Sequence, residues 1–145
     1  MAQGDQLQGC ELCESPGGFV VVQTPLLRVL RIEDVSFPAF YRVVWTAHRA
    51  EFTDLSPSER SLCLEAVARV ETVLREHLRP TKINLASLGN MVAHLHWHVI
   101  ARFDWDSHFP QPIWGQAQRE VEPPAVSRLP LPLFELDRHV ANAFG

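Results

Sequence analysis

Lysine is almost absent from this sequence of 145 residues: Lys82 is the only one, and arginine supplies the other basic residues. Acidic residues outnumber basic residues by 17 to 13, the formal net charge is −4, and no segment concentrates basic side chains. Proteins that bind nucleic acids neutralise the phosphate backbone with clustered Lys and Arg. We therefore expect no nucleic-acid partner.

Long apolar segments are also missing. No run approaches the about 20 apolar residues that span a bilayer, so we expect no membrane partner. The first ten residues, MAQGDQLQGC, have neither a basic start nor an apolar core, which argues against a secretion signal. Three cysteines are too few for a disulfide framework, and these absences together favour a cytoplasmic protein.

Five short segments have the composition of β-strands, because they are rich in β-branched and aromatic residues and are bounded by turn-forming residues. They are residues 19–23, 26–32, 40–45, 81–88 and 94–103. The first three follow one another closely, which predicts an antiparallel meander. With the helix described next, the pattern predicts one α+β domain, in which about five antiparallel strands carry one long helix packed on the sheet.

The long helix is predicted at residues 57–78. Ser56 can cap it, Pro57 occupies its first position, Glu59 completes a capping box, and Pro80 ends it. Apolar residues recur at helical spacing along the segment and give the helix one apolar face for packing on the sheet.

Residues 104–145 are interrupted by six prolines, which predicts an irregular C-terminal arm beyond a core of about residues 10–103. A short helix fits residues 133–144, where apolar residues repeat every four positions. The aromatic and proline-rich segment WDSHFPQPIW either covers a pocket or packs on a second subunit, and the sequence favours neither.

Three histidines alternate with other residues in HLHWHVIARF: His94, His96 and His98. On a β-strand, alternate side chains share one face and stand about 6.6 Å apart, so the three imidazoles would form a row about 13 Å long. Arg102 continues the same face, which predicts that the face is partly in contact with solvent. A flat row of this length cannot place all three imidazoles around one metal ion, whose bonds to nitrogen are about 2 Å long.

Two chemistries fit such a row. Neutral imidazole is a nucleophile whose pKa lies near neutral pH, and a row of imidazoles can lie along an extended phosphate chain. Alternatively, two neighbouring histidines and a third ligand from elsewhere could form the metal site of a metallohydrolase.

The heptapeptide HLHWHVI, His94 to Ile100, resembles the signature of the histidine triad (HIT) superfamily, His-φ-His-φ-His-φ-φ, where φ is hydrophobic. The preceding segment NLASLGNMVA and the segment VVWTAHRAEFTDLSPSE are similar to the corresponding parts of that family. The likeness covers about residues 10–103. It implies a HIT-like domain within residues 1–145, of the bacterial type and similar to diadenosine polyphosphate hydrolases.

The resemblance implies a hydrolase or transferase that acts at the α-phosphate of a nucleotide derivative, such as a dinucleoside polyphosphate or a nucleoside phosphoramidate. By position, His96 would be the nucleophile and form a covalent nucleotidyl-histidine intermediate. His98 would donate hydrogen bonds to phosphate oxygens and assist the leaving group. Asn84 and Asn90 would contact phosphate or ribose, and Asp34 a ribose hydroxyl. A neutral nucleophile suits a negatively charged phosphorus centre, and this chemistry requires no cofactor.

Cys10 and Cys13 form a Cys-x-x-Cys pair, which by spacing is half of a zinc site but also occurs as a redox-active or inert pair. Some HIT proteins with an N-terminal pair bind structural zinc, and the resemblance implies His48 and His94 as the other ligands. A Cys₂His₂ set is closed and leaves no position for a substrate, so such a zinc ion would be structural. A non-catalytic, zinc-containing adaptor with the same fold is therefore the alternative to an enzyme.

A homodimer is expected on two grounds. A five-stranded sheet has edges that need covering, and Leu62, Leu64 and Val67 spread apolar surface over more than one stripe of the predicted helix. The helix at 57–78 and the strand after it lie where HIT proteins pair, so the resemblance implies that two copies join there.

Overall fold

The computed structural model describes residues 5–145. Five strands form one antiparallel sheet in the spatial order β1-β2-β3-β5-β4. The strands are β1 (Phe19–Gln23), β2 (Leu27–Arg31), β3 (Phe40–Trp45), β4 (Lys82–Ala86) and β5 (His96–Arg102). The helices are α1 (Glu11–Glu14), α2 (Pro57–Leu78) and α3 (Leu133–Asn142), with 3₁₀ turns at Phe52–Asp54 and Ala125–Arg128. The predicted α+β architecture is confirmed.

Helix α2 has the predicted bounds and the predicted cap. The Ser56 hydroxyl accepts from the backbone N–H of Glu59, and the Glu59 carboxylate accepts from the backbone N–H of Ser56. These two bonds satisfy amides that have no partner inside the helix. At the other end, Arg79 adopts a left-handed conformation with φ of 48°, and its N–H bonds the carbonyl of Arg75.

The main core lies between α2 and one face of the sheet. Buried α2 residues such as Val70 and Leu74 pack with Val99 and Ala101 of β5 and with Trp45 of β3. Apolar surface removed from water stabilises a fold by about 25 cal/mol per Å², and this burial contributes most to holding the helix on the sheet. Because β3 and β5 are central strands, the residues on their opposite face are held rigidly as well.

That opposite face carries His96 and His98, which are largely buried but line a cavity, so less of the face contacts solvent than the sequence predicted. Arg102 on the same face is only 2% exposed. The Asp106 carboxylate of the C-terminal arm accepts hydrogen bonds from Nε of Arg102 at 2.8 Å and from Nη2 of Arg102 at 3.0 Å. The arm thus covers the end of this face, which the sequence pattern of β5 alone could not reveal.

Strand β5 begins at His96, two residues later than predicted, and His94 lies in a bend before it. The flat row of three imidazoles expected from strand geometry is therefore not formed. Strand β4 is also shorter than predicted and occupies an edge of the sheet, where it pairs only with β5.

The arm ends in α3, which confirms the short helix expected there. Its Asp137 carboxylate, buried against the sheet, accepts from Nε of Arg31 at 3.0 Å and from the hydroxyl of Tyr41 at 2.7 Å. These bonds fasten α3 to β2 and β3. None of the helices within residues 5–145 combines the length and the apolar character needed to cross a membrane.

Candidate active site and metal site

A cavity of about 250 Å³ opens beside the histidine-bearing face of the sheet. His96 and His98 of β5 and Arg42 of β3 form its floor, because the antiparallel register pairs Arg42 with His98. The residues of its walls come from three further segments: Glu11, Asn90 and Trp114. Imidazole, guanidinium and amide groups are the side chains expected around a phosphate, and here they line one cavity.

The imidazole of His96 is held in one orientation by the backbone. Its Nδ1 lies 2.6 Å from the carbonyl oxygen of His94. A carbonyl oxygen can only accept, so Nδ1 carries the proton and donates, and Nε2 keeps its lone pair. This is the tautomer that a nucleophilic imidazole needs.

His98 has the opposite tautomer. The Nε–H of Arg42 donates to Nδ1 of His98 at 3.4 Å, a long and weak hydrogen bond. With Nδ1 accepting, the proton of the neutral ring is on Nε2, which becomes a hydrogen-bond donor. The two neighbouring imidazoles, with ring centroids 5.1 Å apart, thus offer one lone pair and one N–H.

Both pocket imidazoles are neutral at pH 7. Burial lowers the pKa of His96, and the charge of Arg42 adds to the effect. Burial and then the charge of Arg42 lower the pKa of His98 to about 4. Arg42 is consequently the cation of the cavity floor.

A second cluster lies beside the pocket and brings together the four predicted metal ligands, Cys10, Cys13, His48 and His94. Their ligand atoms all lie within 4.8 Å of one another. The Nδ1 of His94 is 3.4 Å from each of the two sulfurs, and the Nδ1 of His48 is 3.5 Å from Sγ of Cys13. In a tetrahedral site with Zn–S of about 2.3 Å and Zn–N of about 2.0 Å, sulfur and nitrogen are about 3.5 Å apart. These four residues could hold a metal ion.

The orientation of His94 also fits a metal ligand. Its Nε2 lies 2.6 Å from the carbonyl oxygen of Trp45, so Nε2 donates and Nδ1 is left with its lone pair toward the sulfurs. An outer hydrogen bond of this kind commonly fixes the tautomer of a metal-bound histidine. Burial lowers the pKa of His94, which further favours the neutral, ligating form.

Buried Arg28 of β2 fixes the segment that carries the two cysteines. Its guanidinium donates to the carbonyl oxygens of Leu12, Ser15 and Pro16 at 2.8 to 3.1 Å. The segment therefore docks on the sheet through its backbone and does not depend on a metal ion alone.

Of the polar residues expected to contact substrate, Asn90 lines the cavity, whereas Asn84 and Asp34 do not. The Asn84 side chain accepts from Nη1 of Arg102 at 2.8 Å. Asp34 accepts from the backbone N–H of Ser36 at 2.9 Å, as in a turn, and borders a different surface cavity. Both side chains have structural partners, and the pocket reaches neither of them.

Trp114 covers part of the pocket from within the same chain. Its ring meets that of His98 edge-on, with centroids 5.4 Å apart. The turn that carries it is held by the buried Arg102–Asp106 pair, and Nη2 of Arg102 also donates to the carbonyl oxygen of Gln111 at 2.7 Å. Of the segment WDSHFPQPIW, Trp114 lines the pocket, whereas Trp105 packs against the main core.

Sequence reasoning missed Arg42 and Glu11. Arg42 was detectable as the only charged residue in the apolar segment FYRVVW, although its register with His98 was not. Glu11 lies between Cys10 and Cys13, and the Cys-x-x-Cys spacing indicates a role for the two cysteines but none for the residues between them.

Comparison with known protein families identifies the family of this chain. Residues 15–105 match the HIT domain. The chain belongs to the HIT domain family. A search of curated protein sequences found no match.

Solved structures show the same fold. A histidine triad protein from Bradyrhizobium japonicum is 26% identical, covers 90% of this chain and 92% of its own, and superposes with a TM-score of 0.71. One from Marinobacter aquaeolei is 24% identical, covers 95% and 96%, and has a TM-score of 0.71. A zinc-bound histidine triad family protein from Mycobacterium smegmatis is 17% identical, covers 93% and 92%, and has a TM-score of 0.57. The last two likenesses, below 25% identity, show the fold alone.

Proposed function

We propose that this HIT protein is a nucleotide hydrolase or nucleotidyl transferase that acts at the α-phosphate of a nucleotide derivative. HIT proteins bind nucleotide ligands and typically process nucleotides. The observation that carries the proposal is the tautomer of His96: its Nδ1–H is bonded to a carbonyl oxygen, so its Nε2 lone pair is available in a pocket lined by Arg42 and His98. Dinucleoside polyphosphates and nucleoside phosphoramidates both contain a suitable phosphorus centre.

In the first step, Nε2 of His96 attacks the α-phosphorus. The P–Nε2 bond forms and the bond to the leaving group breaks, with its electron pair departing on the leaving oxygen or nitrogen, which takes a proton from solvent. The ring becomes a positively charged nucleotidyl-imidazolium, whose Nδ1–H is still bonded to the carbonyl oxygen of His94. Arg42 and the Nε2–H of His98 stabilise charge on the phosphate oxygens.

In the second step, water or another acceptor attacks the same phosphorus. The P–Nε2 bond breaks and its electron pair returns to His96, while the proton of the attacking water passes to solvent. Dividing one difficult displacement into two easier ones is the advantage of a covalent intermediate. The low pKa of His98 makes this residue a hydrogen-bond donor in both steps and not a proton donor.

The Cys10, Cys13, His48 and His94 cluster is proposed as a structural zinc site. The spacing of its ligand atoms and the tautomer of His94 both fit tetrahedral coordination. Bound zinc would stabilise the N-terminal segment. The metallohydrolase alternative is disfavoured, because the cluster found among residues 5–145 does not include His96 or His98.

Incubation of the purified protein with dinucleoside polyphosphates, nucleoside phosphoramidates and nucleotide sugars tests the function. We expect release of a nucleoside monophosphate from at least one class, at a rate that chelators leave unchanged. Absence of turnover on all three classes would favour the zinc-containing adaptor, and rapid loss of activity with a chelator while the fold persists would favour the metalloenzyme.

A homodimer is proposed through the edge strand β4 and the neighbouring surface of α2. Leu85 of β4 is 45% exposed, and Leu62 and Leu64 of α2 are 51% and 44% exposed. Pairing of two β4 strands would cover Leu85 and join two sheets into one, with Leu64 on the neighbouring flank of α2. Leu62 lies on the other flank, where it borders a cavity with Leu27 of β2 and Phe144. Light scattering should give twice the chain mass of 16.4 kDa at micromolar concentration, and a mass of one chain would contradict the dimer.

A further inference from the structure

Glu11 is an acidic residue at a site otherwise suited to phosphate. It lies in α1 between the cysteines of the metal cluster, and it lines the same cavity as His96 and Arg42. Its side chain is exposed, and within residues 5–145 no hydrogen bond or ion pair engages its carboxylate. A carboxylate at the edge of an anion site repels additional negative charge, so its presence bears on which substrates enter.

The position of Glu11 is built into the fold. Leu12, the next residue, is 3% exposed and packs in a small apolar cluster with Cys10. The carbonyl oxygen of Leu12 is held by Arg28 at 2.8 Å. Leu12 also lines the cavity, so this docking holds the first turn of α1, with Glu11, at the cavity edge.

The charge of Glu11 reaches the reacting groups. Glu11 and Arg42 line the same cavity, and the carboxylate of Glu11 raises the pKa of Arg42 against the lowering caused by burial. Among the acidic and arginine side chains of residues 5–145, Arg42 and Glu11 alone line this cavity, and their formal charges sum to zero. One negative charge on an α-phosphate can be matched by Arg42, but the several charges of a polyphosphate chain cannot.

The rim of the cavity beside Glu11 is apolar. Leu88 is 55% exposed and Met91 is 96% exposed, and both line the cavity. An alkyl chain could lie along these two side chains and place a terminal cation near the carboxylate.

We propose that Glu11 selects the leaving group: the pocket takes nucleoside phosphoramidates whose leaving amine carries a second, positively charged ammonium group, and it disfavours polyphosphate chains. This inference rests on the proposed function and names its substrate class. Arg42 and His98 contact the phosphate, and Glu11 contacts the ammonium. In the reaction the P–N bond to the amine breaks as the P–Nε2 bond to His96 forms, and the departing amine takes a proton from solvent.

The test compares three substrates of the full-length protein: the adenosine 5′-phosphoramidates of butylamine and of 1,4-diaminobutane, and diadenosine tetraphosphate with Mg²⁺. We expect kcat/KM for the diamine derivative to exceed that for the butylamine derivative by about fivefold, the value of a favourable exposed ion pair. Glu11→Gln should bring this ratio close to one and raise kcat/KM for the tetraphosphate. Glu14→Gln is the matched control, because Glu14 lies in the same helix but outside the cavity, and it should keep the wild-type ratio.

An unchanged ratio in Glu11→Gln, or a wild-type preference for the tetraphosphate, would overturn the inference. Titration calorimetry with the His96→Ala variant separates binding from chemistry. If no substrate is turned over but the diamine derivative binds more tightly and Glu11→Gln removes the difference, the selection is upheld and the proposed function fails. Equal binding of the two amidates would contradict the selection whether or not turnover occurs.

Discussion

The first histidine of the triad and the two that follow it face different parts of the molecule. His94, at the first end, lies outside the strand and directs Nδ1 toward two thiols. His96 and His98, on the strand, face an open cavity beside Arg42. All three are buried and neutral, so burial does not distinguish them.

What distinguishes them is which ring nitrogen a fixed partner engages. A carbonyl oxygen engages Nε2 of His94 and leaves Nδ1 for a metal; another engages Nδ1 of His96 and leaves Nε2 for a substrate. We call the Cys10, Cys13, His48 and His94 cluster the metal half of the site and the cavity beside Arg42 its pocket half. His94 belongs to both, because its imidazole faces the two thiols and its carbonyl oxygen accepts from Nδ1 of His96, the proposed nucleophile. The metal half and the pocket half are therefore separable by substitution, although they share one residue.

The largest expected effect comes from breaking the pocket half. His96→Ala should lower kcat by at least about a thousandfold, because it removes the attacking atom. It should leave the metal content of the protein unchanged. His77→Ala is the control, because His77 lies in α2 outside the cavity. This variant should retain full activity. Steady-state kinetics and metal analysis on the two variants decide the point, and more than one tenth of wild-type activity in His96→Ala would refute the assignment.

Breaking the metal half should cost stability first. We expect the wild-type protein to contain about one zinc per chain, and Cys10→Ser to lose it and more than about 3 kcal/mol of unfolding free energy. Cys63→Ala is the matched control, because Cys63 is a buried thiol in α2 away from the cluster. It should retain zinc and lose about 1 kcal/mol. Metal-free wild-type protein of normal stability, prepared without chelators, would argue against the site.

A substitution of Asp106 tests how much the buried ion pair with Arg102 stabilises the fold. Asp106→Asn leaves the Arg102 charge without its partner and should cost about 3 kcal/mol of unfolding free energy. Exposed Asp104→Asn should change stability by less than about 0.5 kcal/mol. Denaturant titration of both variants at pH 7 makes the comparison, and equal stabilities would contradict the role given to this pair.

The same ion pair gives a pH dependence. Burial alone would raise the pKa of Asp106, but hydrogen bonds from Arg102 and from the backbone N–H groups of Phe103 and Phe109 hold it below its usual value. A depressed carboxyl pKa stabilises the fold at pH values above that of the unfolded chain, about 3.9. The stability difference between the wild type and Asp106→Asn should therefore shrink as the pH falls below about 4.

A smaller effect concerns His98. Its pKa of about 4 lies below the value of about 6.5 for an unfolded histidine, so this residue contributes stability above pH 6.5 that is lost as the pH falls toward 4. NMR titration should show its ring neutral down to about pH 5. Arg42→Gln should raise the midpoint, because a positive neighbour is removed, while exposed Arg75→Gln on α2 should leave it in place. A His98 midpoint near 6.5 in the wild type would contradict the electrostatics described for the pocket.

Local patterns predicted the elements of this fold well. The cap at Ser56 and the alternation in β5 report on neighbouring residues, so they could be interpreted from the sequence. The bend at His94 could not, because it depends on the carbonyl oxygen of Trp45 and on thiols about eighty positions away. The contact between Arg42 and His98 likewise depends on strand register.

The arm illustrates the same limit. Its prolines predicted irregular structure, but its docking uses buried charged groups, the Arg102–Asp106 pair and Asp137, and composition alone would assign such residues to the surface. Asn84 shows the converse, since the pairing of β4 with β5 directs it to Arg102 and not to the pocket.

Trapping the proposed covalent intermediate on His96 is the most direct test of the mechanism. Excess protein is mixed with an adenosine 5′-phosphoramidate labelled at phosphorus, quenched in alkaline denaturant within milliseconds to seconds, and digested for mass spectrometry. Alkaline conditions are chosen because a phosphorus–imidazole bond is labile in acid. We expect an adenylyl group on the peptide that contains His96, located on His96 by fragmentation and absent from His96→Ala. An adduct on His94, His98 or any other residue, or rapid turnover with no protein-bound label at any time, would contradict it.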